Sequence, residues 1–241
     1  MARKPMQNKN KGFTLVELAV VVAIIALLLG TLLVPLTTQV EQRNITHTQK
    51  QLDEVREALL GYAMVNGRLP RPALSDTDGK ERSTACADAR ECTGFIPWVT
   101  LGLPKSDAWG KMLGYSVVPE FANTTFDFNT GGTLKVVQTR TSAGALQNLA
   151  TNQVAVVISH GAKNWGRTEN GTDVADASST NVDEDTNNAK FHCATVAECS
   201  NFVSRPSAGN GAVSGGEFDD LLVWVPHTIL LSRMVAAGKL P

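Results

Sequence analysis

The feature that most constrains this chain is a long apolar segment close to its N-terminus. Residues 13–36 contain one ionisable side chain, that of Glu17. About 20 helical residues are enough to cross the hydrocarbon core of a bilayer. The sequence therefore predicts a membrane-spanning helix over residues 13–36, and the pattern that follows predicts a helical extension over residues 37–66.

The residues before this segment predict its orientation. Residues 1–12 contain four basic side chains and no acid. Basic flanks usually stay on the cytoplasmic side of a membrane. We therefore expect a single-pass protein with residues 1–12 in the cytoplasm and everything after Leu36 outside it.

Glu17 is unusual in this setting, because a charged side chain within a membrane helix costs about 2.5–3.5 kcal/mol on insertion scales. No Lys, Arg or His lies between Phe13 and Leu36. A cut after Gly12 would give Phe13 a free α-amino group, which is mostly protonated near neutral pH. This amine lies four residues from Glu17, on the same helix face. The partner of Glu17 is then the Phe13 amine of its own chain or that of a neighbouring subunit.

The sequence Gly-Phe-Thr-Leu-Val-Glu at residues 12–17, followed by an apolar run, resembles the cleavage and methylation site of type IV prepilins and type II secretion pseudopilins. In that family a membrane prepilin peptidase cuts after the glycine and N-methylates the new terminal phenylalanine. The mature helices then pack as the core of a filament. The resemblance implies that Gly12 and Phe13 flank the cut, that Phe13 is N-methylated, and that Glu17 is the assembly acid.

The resemblance implies a structural protein rather than an enzyme: a minor pilin or pseudopilin of a type IV pilus or a type II secretion pseudopilus. Its implied partners are prepilin peptidase, other pilin subunits, the inner-membrane assembly platform and, before assembly, membrane lipid. The subunit would first lie in the inner membrane with a periplasmic head, and later in the filament. The net charge of −1 leaves no basic surplus, so no specific nucleic-acid partner is predicted.

Two alternatives fit parts of the N-terminal pattern. A secretory signal peptide would have a shorter apolar core, followed by a small-residue cleavage site that is not found here. An uncleaved membrane anchor fits the length and the basic flank, although it leaves Glu17 unexplained. With such an anchor the protein would be a non-polymerising adhesin or a DNA-uptake receptor.

Residues 67–241 predict a globular head, and the whole chain predicts an α+β fold. Apolar residues between Leu52 and Ala63 recur at three- and four-residue spacings, so this part of the helix is expected to pack on an antiparallel sheet. Asp107–Gly110 is similar to the Asp-x-Trp-Gly segment that precedes the first head strand of many pseudopilins. Strands are predicted over residues 113–118, 124–129, 133–139, 153–159 and 217–225, with a hairpin turn at 131–132 and a C-terminal helix over 227–237.

The four cysteines form two equally spaced pairs, Cys86 with Cys92 and Cys193 with Cys199. In an oxidising exterior an even number of cysteines favours disulfides, and four cysteines allow three connectivities. We favour the two local bridges. A four-cysteine zinc site is the alternative, although zinc knuckles normally have two to four intervening residues and these pairs have five.

Residues 160–217 form a long polar insertion, and such loops are usually functional or mobile. Acids in and beside it offer oxygen ligands for calcium, which some pseudopilins bind in their heads. Asp183, Asp185 and Asp220 are the first candidates, although no EF-hand pattern is present and no other cofactor is expected. Ser159 and His160 are adjacent, but no Gly-x-Ser-x-Gly elbow occurs, so we predict a strand-ending turn there rather than a catalytic site.

Overall fold

The structure, a computed structural model, describes residues 12–193, 195–196, 198–209 and 212–241, with the side chains of all but 29–36 and 192. Two compact units divide the chain, with the boundary between Arg43 and Asn44. The predicted leader lies outside the described residues except for Gly12, and the predicted membrane segment is described in part. Among the described residues, no helix is apolar over a length that would cross a membrane.

The secondary structure confirms the predicted α+β class. Within the described residues a long helix comes first, six strands follow among shorter helices, and a helix comes last. In chain order the elements are α1 (Leu15–Asn66), β1 (Thr93–Phe95), α2 (Trp98–Leu101), β2 (Gly114–Val117), α3 (Pro119–Ala122), β3 (Lys135–Arg140), β4 (Leu146–Ser159), α4 (Val182–Ala189), a 3-10 turn (Lys190–His192), β5 (Asn201–Val203), β6 (Leu221–Pro226) and α5 (His227–Ala236).

The strands form one sheet in the second unit, in the order β1-β2-β4-β3-β5, with β6 also paired to β4. All the pairs are antiparallel except β3 with β5, which is parallel. The sheet is therefore mixed, whereas the sequence predicted an antiparallel one. The difference arises because β5 is a three-residue strand within the polar insertion, where no alternating apolar pattern indicated a strand.

Within the second unit, α1 buries one face in the core. Leu52, Val55, Leu59 and Ala63 are each at most 2% exposed. They belong to one apolar cluster with residues of β2, β4, β6 and α5. Their three- and four-residue spacing places them on one side of the helix, so the predicted apolar stripe is confirmed here.

The C-terminal end of α1 is set by Gly67. Its φ of +75° is left-handed, and its N–H donates to the Ala63 carbonyl at 2.8 Å. A Cβ at Gly67 would also lie 2.8 Å from Cγ2 of Thr125. The position thus favours glycine both by conformation and by close approach, which explains why the helix ends at Asn66.

Four of the five predicted strands are confirmed with shifted ends, as β2, β3, β4 and β6. The strand predicted over residues 124–129 is wrong, because these residues form turns and irregular backbone. Asp127 Oδ1 accepts hydrogen bonds from the Asn129 N–H and the Thr130 hydroxyl, an arrangement that competes with strand pairing. The hairpin turn predicted at residues 131–132 is also wrong, because the strand expected before it is not formed. Residues 141–145 form the turn between β3 and β4 instead.

Lys135 is fully buried in the sheet, although no pattern in the sequence predicts a buried lysine there. Its Nζ donates to the Cys199 carbonyl at 3.3 Å and lies 5.9 Å from the centre of the Phe202 ring. Among the described residues no carboxylate pairs with this amine. Burial lowers the pKa of Lys135 to about 7 from its ordinary value of 10.5.

This lowered pKa predicts an unusual pH dependence of stability. Between pH 7 and 10.5 the unfolded chain holds a proton on Lys135 that the folded protein lacks, so the free energy of unfolding rises with pH. Below pH 7 Lys135 is charged in both the folded and the unfolded chain, so the folded protein bears the full free-energy cost of burying the ammonium group. We therefore expect Lys135→Met to stabilise the protein by about 1–4 kcal/mol at pH 6.

The stabilisation should shrink as the pH rises from 7 to 10, when measured by urea unfolding of the full chain with tryptophan fluorescence. Lys50→Met, on an exposed part of α1, controls for the loss of one positive charge. If Lys135→Met were less stable than the natural protein at pH 6, the proposed cost of burying the amine would be wrong.

Candidate functional site

The start of α1 is held by a reciprocal set of hydrogen bonds between Thr14 and Glu17. Thr14 is the residue before the first helical position, Leu15. Its hydroxyl accepts from the Glu17 N–H at 3.2 Å. One carboxylate oxygen of Glu17 accepts from the Thr14 N–H and from the Thr14 hydroxyl, both at 2.9 Å. This arrangement is a capping box, which satisfies helix N–H groups that have no partner within the helix.

The capping box gives Glu17 a partner that the sequence analysis missed. The signal was present, because a threonine followed three residues later by a glutamate is the usual pattern of such a box. The box also fixes where the helix begins. Gly12 and Phe13 lie outside it in irregular backbone, and the Phe13 side chain is 87% exposed. The Gly12–Phe13 peptide bond therefore lies outside the helix, between two exposed residues.

Comparison with known proteins addresses this same region. Residues 7–33 match the family model of the prokaryotic N-terminal methylation motif. This motif is the type IV prepilin and pseudopilin signal. No curated protein and no solved structure matches the chain.

The motif carries implications for processing and location. It implies cleavage by prepilin peptidase and assembly with other pilin-type subunits. It indicates a precursor that is anchored to a membrane and then associated with a pilus. It therefore points to a structural protein. These statements rest on the matched segment alone, because the match does not extend into the second unit.

Both cysteine pairs form local disulfides in the second unit. The Cα atoms of Cys86 and Cys92 are 5.3 Å apart, and those of Cys193 and Cys199 are 5.5 Å apart. Asn123 holds the first loop by accepting from the Cys86 N–H and donating to the Cys86 carbonyl, both at 2.9 Å. Because each of the four sulfurs belongs to one of these two disulfides, none is a thiolate that could bind zinc in the alternative site.

The Asp-x-Trp-Gly segment forms an anchored turn ahead of β2. Asp107 is 6% exposed, and its Oδ1 accepts from the N–H groups of Trp109 and Lys111 at 2.9 Å. Its Oδ2 accepts from the Ser159 hydroxyl at 2.6 Å. The next residue, Ala108, donates its N–H to the Thr48 hydroxyl at 3.3 Å. The turn thus links α1, β2 and the end of β4.

These contacts also decide the role of Ser159 and His160. The hydroxyl of Ser159 is used by Asp107, whereas His160 Nδ1 lies 3.2 Å from Asp220 Oδ1. The hydrogen bonds of the described residues therefore divide the serine and the histidine between two different acids. A nucleophile must be bonded to its base, and this pair is not. The structure supports the predicted strand-ending turn.

The three acids proposed as calcium ligands lie in different environments. Asp183 is bound by Arg140 and Arg205, each with a contact of 2.7 Å. Asp185 accepts from the Trp165 indole at 2.9 Å. Asp183 and Asp185 are two residues apart on α4, so they point to different sides of that helix. Among the described residues, the acids whose oxygens converge are Glu184, Asp219 and Asp220, which share one member with the predicted set.

In this acidic group Glu184 and Asp220 are buried and Asp219 is half-buried. Glu184 is 2% exposed and accepts from the side-chain amides of Asn164 and Asn181 and from the Asp219 N–H. Burial, together with the nearby carboxylates of Glu184 and Asp220, raises the pKa of Asp219 to about 7. One oxygen of Asp219, Oδ1, has no hydrogen-bond partner in the described part of the chain. Calcium binding by this group stays a prediction.

Lys111 is the buried cation of the same region. Its Nζ donates to three backbone carbonyls, those of His160 at 3.1 Å, Asn164 at 3.0 Å, and Lys163. Burial lowers the pKa of this ammonium, and the surrounding acids, Asp219 first among them, partly offset the effect. The polar core of the second unit therefore combines several acids with one lysine, all held by hydrogen bonds.

The raised pKa of Asp219 predicts how the Asp219→Asn substitution behaves. Folded Asp219 keeps its proton up to about pH 7, whereas the unfolded chain loses it near the ordinary value of 3.8. Unfolding therefore releases a proton between these values, and stability falls as the pH rises through this window. Above pH 7 Asp219 is charged in the folded protein, so the full free-energy cost of burying this charge beside other acids lowers the stability. Asp219→Asn should then raise the free energy of unfolding by about 2–3 kcal/mol at pH 8.

The difference between the natural protein and Asp219→Asn should narrow as the pH falls from 7 to 4, in urea unfolding monitored by fluorescence. Asp53→Asn, at an exposed position of α1, is the matched control. Equal stability of Asp219→Asn and the natural protein at pH 8 would contradict the prediction. Calcium chloride that stabilises the natural protein at pH 8, but not Asp219→Asn, would support calcium binding by this group.

Proposed function

We propose that this chain is a minor pilin or pseudopilin of a type IV pilus or a type II secretion pseudopilus. It is made with a leader, residues 1–12, and inserted in the inner membrane by residues 13–36 with a periplasmic head. Prepilin peptidase cuts between Gly12 and Phe13 and methylates the new amine. The single observation that carries the proposal is the methylation-motif match over residues 7–33.

The surroundings of Gly12 support a cut at this position. A Cβ at Gly12 would meet no described atom within 4 Å, and its φ is not left-handed. The fold therefore gives no reason for a glycine here. A requirement for glycine must then come from outside the chain, as it would if residue 12 had to fit a narrow subsite of a peptidase.

The capping box supports a role for Glu17 before and during assembly. In the single subunit the carboxylate is held by Thr14, so the acid is not left without hydrogen bonds inside an apolar helix. In the filament, we propose, the methylated Phe13 amine of a neighbouring subunit pairs with this carboxylate. A charge pair within an apolar bundle is stronger than a neutral hydrogen bond and would set the register between subunits.

Variants of the capping box test this proposal in the native host. Glu17→Gln keeps an oxygen that can accept the Thr14 bonds but has no charge. We expect both Glu17→Ala and Glu17→Gln to lower incorporation into sheared filaments by at least tenfold. Thr14→Ala should have a much smaller effect, because loss of a cap costs only about 1 kcal/mol. Incorporation is measured by immunoblot of the filament fraction against the membrane fraction.

Glu54→Gln is the matched control, since Glu54 is an exposed acid further along α1. Normal incorporation of Glu17→Gln would contradict the charge pair and leave the capping box as the only role of Glu17. A natural protein that is never found in the filament fraction would contradict polymerisation itself and favour an anchored adhesin or DNA-uptake receptor. A protein that forms the bulk of purified filaments would contradict a minor role.

A further inference from the structure

The second unit contains a cavity of about 520 Å³ that the proposed function does not use. It lies beside β1 and the start of β2, below the loop that follows β4 and next to the end of α4. Its walls are mainly aromatic and aliphatic, with Phe95, Trp165, Phe191 and Met112 among them. Small-molecule sites usually have 300–1,000 Å³ and an apolar lining with a few polar groups, so the cavity has the size of such a site.

Trp165 is held in a strained conformation at the wall of this cavity. Its φ is +58°, a left-handed value that is costly for a bulky residue. Its indole N–H donates to Asp185 at 2.9 Å, which fixes the direction of the ring. Two nearby residues of the same loop are also held, Asn164 by Glu184 and Arg167 by ion pairs. The fold thus keeps a preformed aromatic wall at an energetic cost.

Two polar side chains of the lining have groups that are free to bind. His160 is 4% exposed, and its Nδ1 lies 3.2 Å from Asp220 Oδ1. In the tautomer that donates from Nδ1 to this carboxylate, Nε2 is an acceptor. Nε2 makes no hydrogen bond with any described residue. The side-chain amide of Asn188 likewise has no hydrogen bond within the described residues.

The charged groups at the rim are already satisfied by each other. Arg167 forms two hydrogen bonds with Asp173, at 2.6 and 3.0 Å, and a third with Asp76 at 3.1 Å. Its guanidinium also lies 5.9 Å from the centre of the Phe95 ring. The described lining of the cavity therefore offers no unpaired charge to an ionic ligand, and it favours a neutral one.

We propose that this cavity binds a phenolic ring. A flat ring packs against Phe95, Trp165 and Phe191, while its hydroxyl donates to His160 Nε2 and accepts from the Asn188 amide. A sugar fits less well, because it has hydroxyls around most of its ring and most of them would lose water without gaining a partner. The phenol is either a free compound or the side chain of a tyrosine in another protein.

Fluorine NMR of the full chain labelled with fluorotryptophan tests this proposal at single-residue resolution. Trp165→Phe assigns the resonance at the cavity, and the three other tryptophans, which do not line it, are internal controls. Titration with p-cresol should shift the Trp165 signal saturably and leave the others unchanged. Toluene, which has the same ring without the hydroxyl, should bind at least tenfold more weakly.

Asn188→Ala should weaken p-cresol binding several-fold with unchanged signals from the other tryptophans. Asn170→Ala, at an exposed asparagine outside the cavity, should have no effect. Tighter binding of N-acetyltyrosinamide than of p-cresol would assign the site to a tyrosine of a partner, and weaker binding to a free phenol. No shift at Trp165, equal binding of toluene, or a shift with methyl hexosides but not p-cresol would overturn the proposal.

Discussion

An acid in an apolar helix has to be satisfied, and the hydrogen bonds between Thr14 and Glu17 meet this requirement in the single chain. The same bonds decide that α1 begins at Leu15 and that the Gly12–Phe13 bond stays outside the helix. One local interaction thereby sets both the chemistry of the acid and the exposure of the bond before it. The Thr14 donors can give way to a cation that pairs with the same carboxylate, which suits a subunit that has two successive environments.

The second unit depends on a different kind of constraint, a polar core built around buried acids. Asp107 joins the turn before β2 to Ser159 at the end of β4, and Asp220 joins His160 to Asn187 of α4. Each acid satisfies several donors, so removing one would leave buried groups unpaired at a cost of about 1–3 kcal/mol each. The aromatic cavity lies against this network, which explains how its walls can be held rigidly.

The sequence predicted the parts of the fold that follow from periodic patterns. The apolar stripe of α1, the strands with runs of β-branched residues and the α5 helix were found because burial there repeats at two or at three to four residues. Residues 124–129 misled the prediction, since Asp127 forms a side-chain turn that competes with pairing. Strand β5 was missed because three residues are too few to show a repeating pattern. Helix α4 was missed because its buried residues are polar, which leaves no apolar periodicity.

The site residues also divide into those that a local sequence pattern predicts and those that depend on tertiary contacts. The roles of Gly12, Phe13 and Glu17 were predicted from a local motif, and the Thr-x-x-Glu capping box could be recognised in the same segment. Lys135 and the convergence of Glu184 with Asp219 were not predictable, because they depend on which elements become neighbours. The prediction that Asp183 and Asp185 bind one calcium ion shows what a sequence cannot reveal. Acids that are two residues apart in the sequence point to different sides when they lie on a helix.

The measurement that tests the central claim most directly is the intact mass and N-terminal sequence of the protein from membranes of its native host. The comparison is between cells with and without prepilin peptidase. The account predicts a chain that starts at N-methylated Phe13 only when the peptidase is present, and an uncut chain in its absence. A chain that keeps residues 1–12 in both strains would contradict processing and with it the proposed function.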